Sequence, residues 1–313
     1  MKQSIIILAL LILSVGLKAQ RNDSLKKGKA KEPSADSLLN SLDSSGKRPN
    51  EVAVFKASRL ILSPTTETVK KKNLNFLVIH RFGDISSGNG GAKTFYGLDR
   101  VQDVYIGFEY GLTDNLNVDF GRNTINQLIE LGLKYAILHQ TSDNSSPIAI
   151  TVLGEGGVMP HNAFSTTNNS FSYLAQAIFS RKFTSALSLQ VSPIFLVNDT
   201  PIPNLPGNEK QFFALSAAGR LRITKPLSIV VDYEHPFSTF RQNSANGFHD
   251  PLGFGIEVQT GGHVFTLNIT NSNAVSEINY LNQTKSSYGG GQYRLGFTIS
   301  RMFDFNHKSN KKW

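Results

Sequence analysis

The sequence predicts an all-β protein, a transmembrane up-and-down antiparallel barrel of about twelve strands behind a disordered N-terminal leader. Three observations carry that reading. Apolar and polar residues alternate from residue 73 almost to the end, charges gather on one side of the alternation, and connections alternate long and short.

The chain begins as an exported one. Met1-Lys2 precede an unbroken apolar run, Ile5 to Leu13, and Leu17-Lys18-Ala19 follows with small residues around it. This is the layout of a secretory signal peptide, assigned to 1–19 with cleavage after Ala19. The run is too short for a membrane helix, which needs about 20 residues. Residues 20–50 have no aromatic side chain and no sustained period, so they form a disordered periplasmic linker. Within it, Asp23-Ser24-Leu25 and Asp36-Ser37-Leu38 resemble an O-glycosylation site of some Gram-negative bacteria.

Residues 51–72 are a lead-in and a candidate plug, with Phe55 and Arg59 placed to enter a lumen and Arg59 placed to meet inner carboxylates. The barrel is assigned to 73–305 and a C-terminal tail to 306–313. The first strand falls near Asn73–Phe82. Val104, Ile106, Phe108 and Tyr110 then alternate with Tyr105, Gly107, Glu109 and Gly111. The same period of two runs through Leu116–Phe120, Ile129–Ile137, Ile148–Val152 and Phe171–Phe179. It continues through Leu187–Val191, Phe213–Ile223, Ile229–Tyr233, Leu252–Val258, Phe265–Ile269 and Tyr293–Ile299.

A soluble sandwich also alternates, so the register is fixed by charge. Glu109, Asp119, Glu130, Lys134, Glu155, Arg220, Arg222, Asp232, Glu234, Glu257 and Arg294 all share the face opposite the apolar one. A cation facing lipid at mid-membrane costs about 2–4 kcal/mol and one facing a wet lumen costs little. The apolar face therefore points outward and these charges line the lumen. Long connections near 83–101, 157–169, 198–210, 236–250 and 271–290 are set against tight turns at 113–115, 184–185, 224–226 and 260–262. With a periplasmic N-terminus, most turns fall on one side and most long loops outside. The links 122–127 and 139–146 depart from that rule.

Other chemistries find little support. With no cysteine, thiol nucleophiles, thiolate metal sites and a lipoprotein anchor are excluded. The net charge of +9 sits mainly in the leader, before the first strand and at the end, so nucleic acid is not an expected partner. Gly88-Asn89-Gly90-Gly91 and Gly289-Gly290-Gly291 lack the lysine and strand–helix context of a nucleotide loop. Among His80, His139, His161, His235, His249, His263 and His307, only His235 and His249 flank one loop, near Asp250 and with His161 in another loop. No metal or cofactor is expected. Asp232, His235 and Ser238 are the one nucleophile–base–acid set close in sequence, at spacing that matches no hydrolase signature.

Short stretches resemble a family of outer-membrane β-barrels of unknown function: Phe55-Lys56-Ala57-Ser58-Arg59-Leu60-Ile61, His80-Arg81-Phe82-Gly83, Phe95-Tyr96-Gly97-Leu98-Asp99 and Tyr110-Gly111-Leu112-Thr113-Asp114. Gly261-Gly262-His263-Val264-Phe265, Thr270-Asn271-Ser272 and Gly296-Phe297-Thr298-Ile299-Ser300-Arg301 extend the likeness over about residues 52–303. It implies the fold and no activity. Arg294–Ile299 with Phe303 and Phe305 resembles the terminal signal read by the barrel-assembly machinery, an expected partner beside outer-membrane lipid. Two functions stand level: a narrow channel for small solutes, and a closed barrel recognising a ligand through its outer loops. A hydrolase stands behind both, and the protein is not expected to be an enzyme.

Overall fold

The structure, a computed structural model, describes residues 50–86, 91–160, 170–199 and 207–305. The expected signal peptide, nearly all of the linker with its Asp-Ser-Leu sites, His161, His307 and the C-terminal tail lie outside the described residues. Part of the Gly88–Gly91 run does too.

Twelve strands form one closed antiparallel barrel. They are β1 (Asn73–Asp84), β2 (Val101–Gly111), β3 (Leu116–Asn123), β4 (Ile129–Leu138), β5 (Ala149–Val158) and β6 (Phe171–Lys182). The circuit continues with β7 (Leu187–Asn198), β8 (Gln211–Arg222), β9 (Leu227–Phe237), β10 (Leu252–Thr260), β11 (His263–Thr270) and β12 (Arg294–Asp304). Each strand pairs with its chain neighbours, and β1 returns to β12 with Asn73 opposite Asp304 and Arg81 opposite Gly296. Closure leaves no edge with unpaired N–H and C=O groups, which a hydrocarbon surrounding would not tolerate. β1 runs to Asp84, two residues beyond the expected Phe82, with a register shift near its end.

The alternation is realised as expected. Ile106, Phe108 and Tyr110 on β2 are exposed outward, while Tyr105 and Glu109 are buried inward. Outward side chains such as Leu131 (60 % exposed), Phe213 (62 %) and Leu267 (55 %) have no protein neighbour to cover them, and they form an apolar belt around the wall. No helix among the described residues is long and apolar enough to cross a membrane, so any crossing is made by strands.

The interior is filled. The segment 51–66 folds back from the start of β1 as a hairpin, with Arg59 bridged to Pro64. Its Val54, Phe55, Leu60, Ile61 and Leu62 are buried against inward residues of the wall. From the other end, the connection between β11 and β12 does not stay outside as a surface loop. It turns inward as a helix, α2 (Glu277–Gln283), whose Ile278, Tyr280 and Leu281 join the same apolar cluster. The helix α1 (Thr239–Gln242), in the connection between β9 and β10, lies above it. Here the structure departs from the sequence reading, which treated 271–290 as one more outer loop. The physical reason is the run of apolar residues there, with Ala274, Ile278, Tyr280 and Leu281 burying against one cluster of the wall and Val275 against Leu77, Ile79 and Tyr105.

Candidate functional site

The lumen is the candidate site, and its floor is the hairpin. Asp232 on β9 anchors the turn. Its Oδ2 accepts the backbone N–H of Leu62 at 2.9 Å and of Ser63 at 2.8 Å, and its Oδ1 accepts the Ser63 hydroxyl at 2.9 Å. From β1, the Arg81 guanidinium donates to the Ile61 carbonyl at 2.8 Å and to the Asn268 side-chain oxygen. Lys134 on β4 donates to the Ser58 carbonyl at 3.3 Å. The Ser188 hydroxyl and the Gln190 amide of β7 reach Val54 and Pro64 at 2.6 and 2.8 Å. Thr66 meets Ser180 of β6 at 2.6 Å and its carbonyl accepts from Thr151 of β5. The hairpin is thus held from many strands by side chains and apolar packing, with one backbone bridge at its start, from Val52 N–H to the Gln140 carbonyl at 2.8 Å.

Its fit to β10 depends on a missing side chain. A Cβ added at Gly253 would lie 2.6 Å from Cγ2 and 3.2 Å from Cβ of Ile61, and both belong to a stiff branched side chain. Gly253→Val is expected to push the hairpin off the wall while the strand, whose backbone it leaves paired, persists. A cysteine placed at Ser63 should then react with a polar thiol reagent far faster than in the parent protein. Equal labelling rates would show that the contact does not hold the hairpin.

The roof is built from α2 and its flanks. Val275 N–H donates to Asp103 on β2 at 2.9 Å, and the Ser276 hydroxyl donates to Glu130 on β4. The Tyr280 hydroxyl donates to Glu234 on β9 at 2.6 Å. Arg241 of α1 staples the loops over this helix. It donates to the Leu281 carbonyl at 3.2 Å, to Asn282 at 2.6 Å and to Asn208 at 3.1 Å, and it lies 4.1 Å over the ring of Phe212. Burial pushes its pKa down to about 10, with Glu209 working in the opposite direction. Clefts remain at both ends. One of about 390 Å³ beside Arg241, Phe248 and His249 opens at the loop end, and one of about 150 Å³ beside Phe55, Glu67 and His263 opens at the turn end.

All eleven charged residues assigned to the lumen lie on inward positions of their strands. Glu109 accepts from Asn75 at 2.7 Å and stands opposite Asp119 in the β2–β3 register. Glu130 also accepts from Asn123 at 2.9 Å, and Glu155 faces the same space from β5. Arg220 and Glu257 form a buried pair at 2.7 Å. Arg294 donates to the Asn271 carbonyl at 3.0 Å and to Ser286 at 2.7 Å, and Arg222 is half-buried toward the turn end of β8. Of the two plug candidates, Phe55 is buried in the apolar cluster. The Arg59 guanidinium reaches the Leu62 carbonyl at 2.9 Å and Glu277 at 4.0 Å.

Asp103, Tyr105, Arg81 and Glu277 belong to this interior and were not singled out from sequence. Parity exposes the first three, since Asp103 and Tyr105 share the face of Glu109, and Arg81 that of Asn75. Glu277 sits in a connection, where no strand period applies. Tyr105 also needs its neighbours to be glycines. A Cβ at Gly107 would come within 2.5 Å of its ring, and one at Gly121 within 2.3 Å of its hydroxyl oxygen.

The proposed nucleophile set is not assembled. Asp232 points inward to the hairpin, while His235 points outward, with Nδ1 2.8 Å from Asp250. Ser238 caps α1 by accepting the Arg241 N–H. No group of three histidine or acidic side chains is arranged for a metal ion among the described residues. His249 lines the loop-end cleft without joining His235 and Asp250 in a ligand set.

A closed twelve-stranded wall, with apolar residues outside and a charged, occupied interior, defines a membrane β-barrel. The chain belongs to the family described as membrane bound beta barrel domain (DUF5777), whose model matches residues 55–303. No curated protein matches its sequence. Among solved structures it is similar to the NanC porin, at 10 % identity and a TM-score of 0.45, with 73 % of this chain and 98 % of that one covered. It is similar to the KdgM porin in complex with disordered oligogalacturonate, at 9 % identity, a TM-score of 0.44, and coverage of 74 % and 99 %. A third similar structure is the outer membrane protein Omp33 of Acinetobacter baumannii, at 9 % identity, a TM-score of 0.41, and coverage of 74 % and 99 %.

Proposed function

We propose that this protein is a narrow outer-membrane channel for small polar solutes, and that the described conformation is its closed state. One observation carries the reading. The wall is a continuous ladder, whereas both occluding segments lie outside it, held by apolar packing and by hydrogen bonds to side chains of the wall. A segment held that way can leave without opening the barrel. The inner face it would uncover carries charges and hydroxyls, densest on β2 to β5, beside apolar side chains such as Leu174, Ile194, Leu196 and Phe212 on β6 to β8, which leaves polar solutes a path along one side. In this reading outer-membrane lipid covers the apolar belt, the turn end is periplasmic, and the barrel-assembly machinery receives the strand Arg294–Asp304. Catalysis has no part in it.

The test is planar-bilayer conductance of the full chain beside a variant lacking residues 51–66. The full chain is expected to be mostly silent with rare steps, and the deletion variant to give frequent, discrete openings. A folded deletion variant as silent as the parent would sink the channel reading. A second reading, a closed barrel that binds a ligand at its outer loops, is favoured by the cleft beside Arg241, Phe248 and His249. Silence from both proteins would move attention there.

A further inference from the structure

We propose that the lumen holds a site for a small organic cation of the guanidinium or primary-ammonium class, and that the side chain of Arg59 occupies it while the channel is closed. The inference rests on the channel reading, since it names the solute class of the same lumen.

Four neighbouring strands give the wall a sign. The inward positions of β2 to β5 carry Asp103, Glu109, Asp119, Glu130 and Glu155, against Lys134 alone among bases. Glu277 from α2 and Asp232 and Glu234 from β9 face the same volume. Arg59 is brought into this space by the hairpin. Its Nε donates to the Leu62 carbonyl at 2.9 Å and its terminal nitrogen to the Val275 carbonyl at 3.4 Å. The same nitrogen stands 4.0 Å from Glu277, and the guanidinium carbon lies 5.9 Å from the centre of the Tyr105 ring. Glu277 and Glu155 both act on its charge.

Arg59 does not exhaust what the site offers. Glu277 Oε1 and Glu234 Oε2, from side chains buried almost completely, have no hydrogen-bond partner, and neither does Asp119 Oδ1. Buried carboxylate oxygens without donors are costly, and a cation with several N–H groups satisfies them. The aromatic face of Tyr105 adds attraction for a delocalised cation. Because no three acids converge as metal ligands among the described residues, an organic cation fits better than a metal ion. An anion brings further acceptors to a lining of acceptor oxygens, and a neutral solute offers fewer N–H donors than a guanidinium. Arg81 and Lys134 stay on the wall when the hairpin leaves; both donate to hairpin carbonyls, and Lys134 acts on Glu277 only from beyond ion-pair distance. Withdrawal of the hairpin therefore removes the one cation seated beside Glu277 and frees the site.

The test uses the full chain, Arg59→Gln and the variant lacking 51–66, each read in two ways. In detergent, methylguanidinium is expected to raise the unfolding temperature of Arg59→Gln and leave the parent unchanged, while N-methylurea affects neither. In bilayers, the permeability ratio of potassium over chloride in the deletion variant is expected to favour potassium roughly tenfold. Should Arg59→Gln fail to fold, the deletion variant lacks the same guanidinium and gives both readouts. Arg59→Lys should restore the parent's indifference to methylguanidinium. Conductance without cation preference and without a methylguanidinium shift would overturn this inference and leave the channel standing. A methylguanidinium shift with no conductance in any variant would keep the site and overturn the channel.

Discussion

Asp232→Ala is expected to release the lumen hairpin while the barrel wall stays folded. The carboxylate takes two backbone N–H groups and a hydroxyl from Leu62 and Ser63, all buried. Hydrogen bonds to a charged acceptor contribute about 1.5–3 kcal/mol each, and removal leaves both N–H groups without a partner. Shared geometry makes the sum less than additive, so the hairpin should lose about 3–5 kcal/mol of docking free energy. Few wall contacts depend on it, because Asp232 spends its side chain on the hairpin. Limited proteolysis should cut within 51–66 in the variant and spare the parent, and both should keep the heat-modifiable gel mobility of a folded barrel. Asp232→Asn retains one acceptor oxygen and should fall between them. Protection in Asp232→Ala equal to the parent's would place the anchor elsewhere, with Arg81 and Gln190 the next candidates.

Breaking the Arg220–Glu257 pair should instead weaken the wall itself. The two side chains meet at 2.7 Å with 6 % and 1 % exposure, on β8 and β10, which are separated by β9. Removing one partner strands a buried charge and typically costs about 3–5 kcal/mol, whereas an apolar pair of similar volume is often neutral or better. Arg220→Ala is thus expected to lower the urea midpoint of unfolding in detergent, and Arg220→Met combined with Glu257→Leu to recover most of the loss. A double variant no better than the single one would show that the pair supplies more than mutual neutralisation.

Much of this architecture is legible in the sequence because a strand has a period of two. Once Glu109 is placed inside, parity fixes Tyr105, Gly107 and Phe108 without further information, and the charge-free face then has to be the outer one. The same arithmetic separates Asp232 from His235, three positions apart and hence on opposite faces, and closeness along the chain hid that. What fills the lumen is another matter. Residues 51–66 carry no period, and their place depends on contacts such as Leu62 with Asp232 and Ile61 with Gly253, which join distant parts of the chain. The connection after β11 misled for a similar reason. Its length matched the other outer loops, and only its apolar residues, Ala274, Val275, Ile278 and Leu281, signalled that it turns inward.

The inserted helix lies in the last connection, immediately before the strand that closes the barrel. Filling the lumen from the loop end and closing the wall thus draw on adjacent stretches of the chain. The hairpin reaches Asp232 across a sequence separation of 170 residues, and Asn75 meets Ser300 across 225. Contacts of that kind form only after the entropy of joining distant segments has been overcome, which makes acquisition slow and highly cooperative. Without β12 the seam beside β1 would be open and its inward polar groups uncovered. A barrel of eleven strands would thus lack a sealed wall, and the connection that fills its loop end would have no strand to return to.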